Sequence, residues 1–170
     1  MQTLFACTSL GYTGERCHGE PAIKADIRAL SPSGRPLFWV RELLVGVSGP
    51  ILVIDDDLVF LEFLRALLSG EGYEVVAVAS LAEARAWLGR QRPAVVIGDA
   101  RIAGESDFAV VDLVAGLPAP PVPLLLTTAY PPARVTEYVG AHPYPALSVL
   151  FKPFEIDDLL ARVAQLLTPA

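Results

Sequence analysis

Five short apolar runs, each followed by a stretch with helical spacing, restrict this chain to very few folds. The runs are Ile51-Leu52-Val53-Ile54 and residues 73–78, 94–97, 124–127 and 147–151. Continuous apolar runs of this length suit strands buried on both faces, not strands with one wet face. Residues 57–69 read as a helix with a broad apolar face, closed by Gly70 and Gly72. Ser80-Leu81-Ala82-Glu83 is a capping box that opens a helix with Leu81, Ala84 and Leu88 on one side. Residues 108–117 give a third helix and 134–139 a weak fourth. The last helix is the cleanest, with Ile156, Leu159, Leu160, Val163, Leu166 and Leu167 at i, i+3, i+4, i+7 spacing. Five β-α units with short connections imply the α/β class, a parallel sheet with helices on both faces. Right-handed crossovers leave a doubly wound, three-layer αβα sheet as the leading topology.

The front of the chain lacks this pattern. Residues 1–49 hold scattered Gly, Pro and Ser, as in Ser31-Pro32-Ser33-Gly34-Arg35-Pro36, and only 37–47 look able to order. Leu4-Phe5-Ala6-Cys7 has neither the basic region nor the apolar region of a signal peptide. The expected organisation is a poorly ordered extension over 1–48 and a folded domain over 49–168. The extension also fits a mis-assigned start; Met1 is the only methionine, so an internal start would use a non-ATG codon, for example at Val45 or Val47.

No apolar run reaches the ~18–20 residues that span a bilayer, so no membrane partner is expected. The formal charge of −6 is concentrated in the folded part, where residues 50–170 carry −7 against +1 in front. An acidic surface disfavours nucleic acid as a direct partner. Both cysteines, Cys7 and Cys17, lie in the front segment, which excludes a disulfide framework for the fold and fits a reducing, cytoplasmic location.

In a doubly wound sheet, sites form at the carboxyl ends of the strands beside the switch point. The first strand ends in Asp55-Asp56-Asp57, the third in Gly98-Asp99, the fourth in Thr127-Thr128-Ala129 and the fifth leads into Lys152-Pro153-Phe154. Acids crowded together raise one another's pKa, and a hard divalent cation resolves the repulsion. Mg²⁺ takes carboxylate, water and phosphate oxygens. Asp57 reads as the cap of the following helix; Asp55 and Asp56 read as ligands. Lys152 is the only lysine in residues 50–170, where every other cation is arginine. A compact ammonium there suits contact with carboxylate or phosphate oxygen. A cis bond to Pro153 would aim it inward. Thr128 could donate its hydroxyl to a phosphoryl oxygen. Asp99, placed among these groups, can attack phosphorus while they neutralise the transferring group.

On Ile54-Asp55-Asp56-Asp57, Asp99, Thr128-Ala129 and Lys152-Pro153-Phe154, in that order and spacing, the chain resembles the bacterial response-regulator receiver domains over roughly residues 50–167. The resemblance implies a flavodoxin-like strand order 2-1-3-4-5. It implies that Asp99 takes a phosphoryl group from a phosphohistidine on a histidine kinase or histidine phosphotransfer protein. It also implies Mg²⁺ held by Asp55, Asp56, Asp99 and the backbone carbonyl of Arg101, and phosphoryl oxygens bound by Thr128 and Lys152. Such a protein is a signalling component, not an enzyme beyond its own phosphorylation and dephosphorylation. Two departures stand out. The family usually follows its acceptor with Met-Pro and then an Asp-Gly turn, where this chain has Ala100-Arg101-Ile102-Ala103-Gly104. The family's switch aromatic, three residues before the lysine, is Val149, so aromatic reorientation there has no counterpart.

Two other functions fit parts of the pattern. A receiver with an unphosphorylated Asp99 would act only as a protein-binding module. The Asp55-x-Asp57 spacing also fits the haloacid-dehalogenase phosphatases, but their threonine and lysine motifs precede the late Gly-Asp, whereas Thr128 and Lys152 follow Gly98-Asp99. The sequence ends soon after Leu167, so the expectation is a stand-alone receiver resembling the chemotaxis regulators, or a receiver cut from a longer protein. Its output would pass to a protein target through the fourth helix, fifth strand and fifth helix, as the resemblance implies.

Overall fold

The computed structural model describes residues 49–168, and the expectations for residues 1–48 fall outside the described residues. Strands β1 (Ile51–Ile54), β2 (Val75–Val78), β3 (Val95–Asp99), β4 (Leu124–Thr128) and β5 (Leu147–Phe151) form one parallel sheet in the order β2-β1-β3-β4-β5. Helices α1 (Leu58–Gly70), α2 (Leu81–Leu88), α3 (Ala109–Ala115), α4 (Pro132–Ala141) and α5 (Ile156–Leu167) connect and follow the strands. The doubly wound α/β sheet expected from the apolar runs is therefore the fold.

Alternation along the strands assigns the helices to faces. Ile51 and Val53 pack with Leu61, Leu64 and Leu68 of α1 and with Leu159, Val163 and Leu167 of α5. Leu52 and Ile54 pack the other way, with Leu81 and Ala84 of α2, Val110, Val111 and Val114 of α3 and Val135 of α4. Because both faces of β1 are covered, all four of its residues are buried, which is why its sequence does not alternate. Each fully buried Leu, Ile or Val contributes roughly 1.5–3 kcal/mol of burial free energy.

Of the boundaries that differ from the sequence expectation, three have a clear local reason. β2 begins at Val75, not at 73, because the Tyr73 N–H is taken by Leu68 O in the turn that closes α1 around Gly72, whose φ is +87°. α3 begins at Ala109 because Phe108 adopts a left-handed φ of 62° and gives its N–H to Ala100 O. α4 is longer than 134–139 because Pro131 and Pro132 stand at its start, where a missing N–H costs nothing and the fixed φ suits the first turn.

The caps are made by side chains. Asp57 Oδ1 accepts from the N–H groups of Val59 and Phe60 at 3.0 and 3.1 Å. Ser80 Oγ accepts from Glu83 N, while Glu83 Oε2 accepts from Ala79 N, one residue earlier than the usual reciprocal box. Asp57→Ala is therefore expected to cost about 1 kcal/mol of stability. In urea denaturation this is a lower midpoint at unchanged slope.

Candidate functional site

The order of the sheet reverses between β1 and β3, and the register sets Ile54 beside Gly98. The residues that follow on each strand meet at the rim. Asp55, Asp56 and Asp99 each offer a carboxylate oxygen, and these oxygens all lie within 4.8 Å of one another. Gly98 is small for a packing reason: a Cβ built on it would lie 2.5 Å from Cγ2 of Val110, so α3 presses directly on the β3 backbone.

Asp55 is the most enclosed of the three, at 2% exposure. Burial pushes its carboxyl above the ordinary carboxylate value; the Asp57 N–H and the Lys152 ammonium pull the other way. Its Oδ1 accepts from Asp57 N at 2.9 Å and its Oδ2 accepts from Lys152 Nζ at 3.0 Å. Lys152 Nζ also donates to Asp99 Oδ2 at 3.1 Å. The peptide bond from Lys152 to Pro153 is cis. One ammonium thus serves two carboxylates and leaves the cluster with excess negative charge. Hard oxygen donors carrying that charge fit a divalent cation such as Mg²⁺.

The other residues singled out in the sequence are at the same rim. Thr128 is wholly buried, and its Oγ1 accepts from Tyr130 N at 3.0 Å. The Lys152 N–H donates to Thr128 O at 2.7 Å, which ties the ends of β4 and β5 together. The Arg101 N–H donates to Asp99 Oδ1 at 3.4 Å. With Ala129 and Tyr130, these groups line an open basin of about 530 Å³. A carboxylate beside an ammonium and further oxygen donors can attack an electrophilic phosphorus.

The loop after Asp99 departs from the sequence pattern but is well anchored. Ala100, Ile102 and Phe108 are buried in the core, and the Ala103 N–H donates to Asp56 Oδ2 at 3.2 Å. Gly104 takes the left-handed turn, with φ of 80°. At the end of the loop, Asp107 accepts from the Tyr130 hydroxyl and from the Arg134 guanidinium. That hydrogen bond raises the Tyr130 phenol above its ordinary value. The Arg134 guanidinium also lies 4.2 Å from the centroid of the Tyr130 ring. Phe108 stacks on Tyr138 at 4.2 Å, and the Tyr138 hydroxyl donates to Asp112. The loop after Asp99 is therefore fastened to α4.

Sequence reading missed Phe60, Asp107, Tyr130 and Arg134. Phe60 was one apolar residue in a broad helical face, yet its ring centroid is 4.3 Å from Lys152 Nζ. Tyr130 directly follows Thr128-Ala129, a position at which an aromatic could have been noticed. Asp107 and Arg134 carry no local signal, since their pairing spans 27 residues.

A family model described as the response regulator receiver domain matches residues 51–164. The transcriptional regulatory protein ZraR of Escherichia coli is 35% identical over 117 residues, covering 69% of this chain and 26% of that protein. The phyllosphere-induced regulator PhyR of Methylorubrum extorquens is 33% identical over 131 residues, covering 75% of this chain and 46% of that protein. The chain thus spans less than half the length of either relative. Among solved structures, a response regulator receiver protein from Sinorhizobium medicae superposes with a TM-score of 0.61 at 25% identity, covering 71% of this chain and 94% of that one.

Proposed function

The chain belongs to the response regulator receiver family, and from that premise we propose that Asp99 accepts a phosphoryl group from a phosphohistidine on a histidine kinase or phosphotransfer protein. The observation that carries this reading is the contact of Lys152 Nζ with Asp99 Oδ2 at 3.1 Å, beside two further carboxylates. The receiver is assigned to residues 49–168.

In the proposed transfer, an Asp99 oxygen attacks phosphorus and the bond to the donor imidazole nitrogen breaks. Lys152 turns its ammonium from Asp99 to a phosphoryl oxygen, and Thr128 donates its hydroxyl to another. Thr128 can do so while still accepting from Tyr130 N, because a hydroxyl donates once and accepts twice. Asp55, Asp56, Asp99 and the backbone carbonyl of Arg101 would hold Mg²⁺, which supplies positive charge at the transferring group. The acidic charge of residues 50–170 argues for a protein partner over nucleic acid. Among the described residues no helix is long and apolar enough to cross a membrane, and the cytoplasm is the proposed site of action. Output to a protein target is assigned to the face of α4, β5 and α5, to which the acceptor loop is tied through Asp107, Tyr130 and Arg134.

The test is intact-mass measurement after incubation with Mg²⁺ and phosphoramidate, a small donor that mimics phosphohistidine. A gain of one phosphoryl group supports the reading, and no gain overturns it. Mg²⁺ is also expected to stabilise the fold, because it relieves repulsion among the acids. At a hundredfold excess over its dissociation constant the gain is about 2.7 kcal/mol, a rise of several degrees in melting temperature. Asp56→Asn should lose most of that Mg²⁺-dependent rise in thermal denaturation.

A further inference from the structure

We propose that Phe60 is a positioning residue for Lys152, its ring holding the ammonium at the acceptor when Asp55 and Asp99 turn to other partners. This rests on the reading of Asp99 as acceptor.

Lys152 Nζ meets Asp55 Oδ2 at 3.0 Å, Asp99 Oδ2 at 3.1 Å and the Phe60 ring, with its centroid at 4.3 Å. The two carboxylates are the groups that a divalent cation or an incoming phosphoryl group would also engage. The ring is the neighbour for which neither competes. An ammonium released from both acids would otherwise extend into water, since its side chain is already 25% exposed. The attraction of a cation to an aromatic face is larger where the cation is partly desolvated, as it is here.

The ring is itself held in place. Its backbone N–H is fixed by the Asp57 cap. Phe63 stacks against it at 6.2 Å, and Phe154 meets it edge-on at 6.1 Å and 64°. Phe154 lies two residues after Lys152, so the segment that delivers the ammonium also braces the ring. A side chain serving only as core filler would not need a cation on its face. Phe60 is half-buried, unlike Leu61 and Leu64 beside it on α1.

The test uses the full chain labelled at lysine, which contains only Lys24 and Lys152, together with Phe60→Leu and Phe60→Trp. Proton shifts at the end of the Lys152 side chain are read with and without Mg²⁺, and phosphoryl uptake from phosphoramidate is timed. The wild-type protons are expected upfield because of the ring current, and to stay so with Mg²⁺. Phe60→Leu should abolish that displacement and slow uptake about tenfold, the loss of one partly desolvated contact. Phe60→Trp should restore both. Uptake by Phe60→Leu at the wild-type rate, or wild-type protons without an upfield shift, overturns the proposal. No uptake by wild type despite the upfield shift overturns the acceptor reading and, with it, the role of the contact in transfer. No shift with normal uptake overturns the positioning role alone.

Discussion

Asp99→Asn is expected to take up no phosphoryl group from phosphoramidate under conditions that label the wild type. An amide nitrogen or oxygen is a poor nucleophile toward phosphorus, whereas the carboxylate has a free lone pair and full negative charge. The substitution is nearly isosteric. An amide oxygen can still accept from the Arg101 N–H, and Lys152 keeps its bond to Asp55. The fold should therefore survive, as thermal denaturation of the variant will show. Lys152→Ala tests the other half of the pair. It leaves the nucleophile in place but strips both Asp99 and the buried Asp55 of their ammonium. Removing one preorganised donor from a transferring group typically costs about 10²–10³ in rate, and Lys152→Arg should not recover it, because a planar fork does not replace a compact ammonium. Equal labelling of wild type and Asp99→Asn in intact-mass spectra would show that the acceptor lies elsewhere.

Gly98→Val is expected to destabilise the domain by about 3 kcal/mol or more, the upper end for overpacking. That is a large share of the roughly 5–15 kcal/mol of a typical domain. The cause is specific: even a methyl at position 98 would sit 2.5 Å from Val110 Cγ2, and β3 is fixed on both sides by ladder bonds to β1 and β4. Val110→Ala should partly rescue the variant, so that the double variant melts above Gly98→Val alone. Additive losses in the double variant would mean that the contact is not the cause. Any phosphoryl uptake from phosphoramidate should fall in step, because Asp99 is the next residue.

The fold was legible because burial on both faces of β1, β3 and β4 leaves apolar runs that no solvent-facing strand would carry, and because five β-α units admit few topologies. The residues of the candidate site were legible for a related reason. Asp55, Asp99, Thr128 and Lys152 are polar groups placed directly at the ends of those runs, where an apolar sequence has no local cause to change. What stayed hidden is tertiary. The bond that the Tyr130 hydroxyl donates to Asp107 spans a loop that turns at the left-handed Phe108 and is packed by Ile102, and neither leaves a periodic trace. Val149 stands where a receiver's switch aromatic is expected, but nothing local says that Tyr130 lines the basin and is bonded to the loop after Asp99. Phe60 was hidden by being apolar in an apolar helix face. α4 reaches back beyond the weak 134–139 pattern because Pro131 caps it and Pro132 opens it.

The sheet order has a consequence for how the site comes apart. β1, β3 and β4 are enclosed almost throughout, while the edge strands β2 and β5 are only half-covered along most of their length. Local opening follows such differences in burial, so amide protons of the margins exchange before those of the centre. The carboxylates are rooted in the slow-breathing centre, and Lys152 rides on the margin. Thermal fluctuation therefore withdraws the ammonium first and leaves Asp55 and Asp99 still in register beside one another.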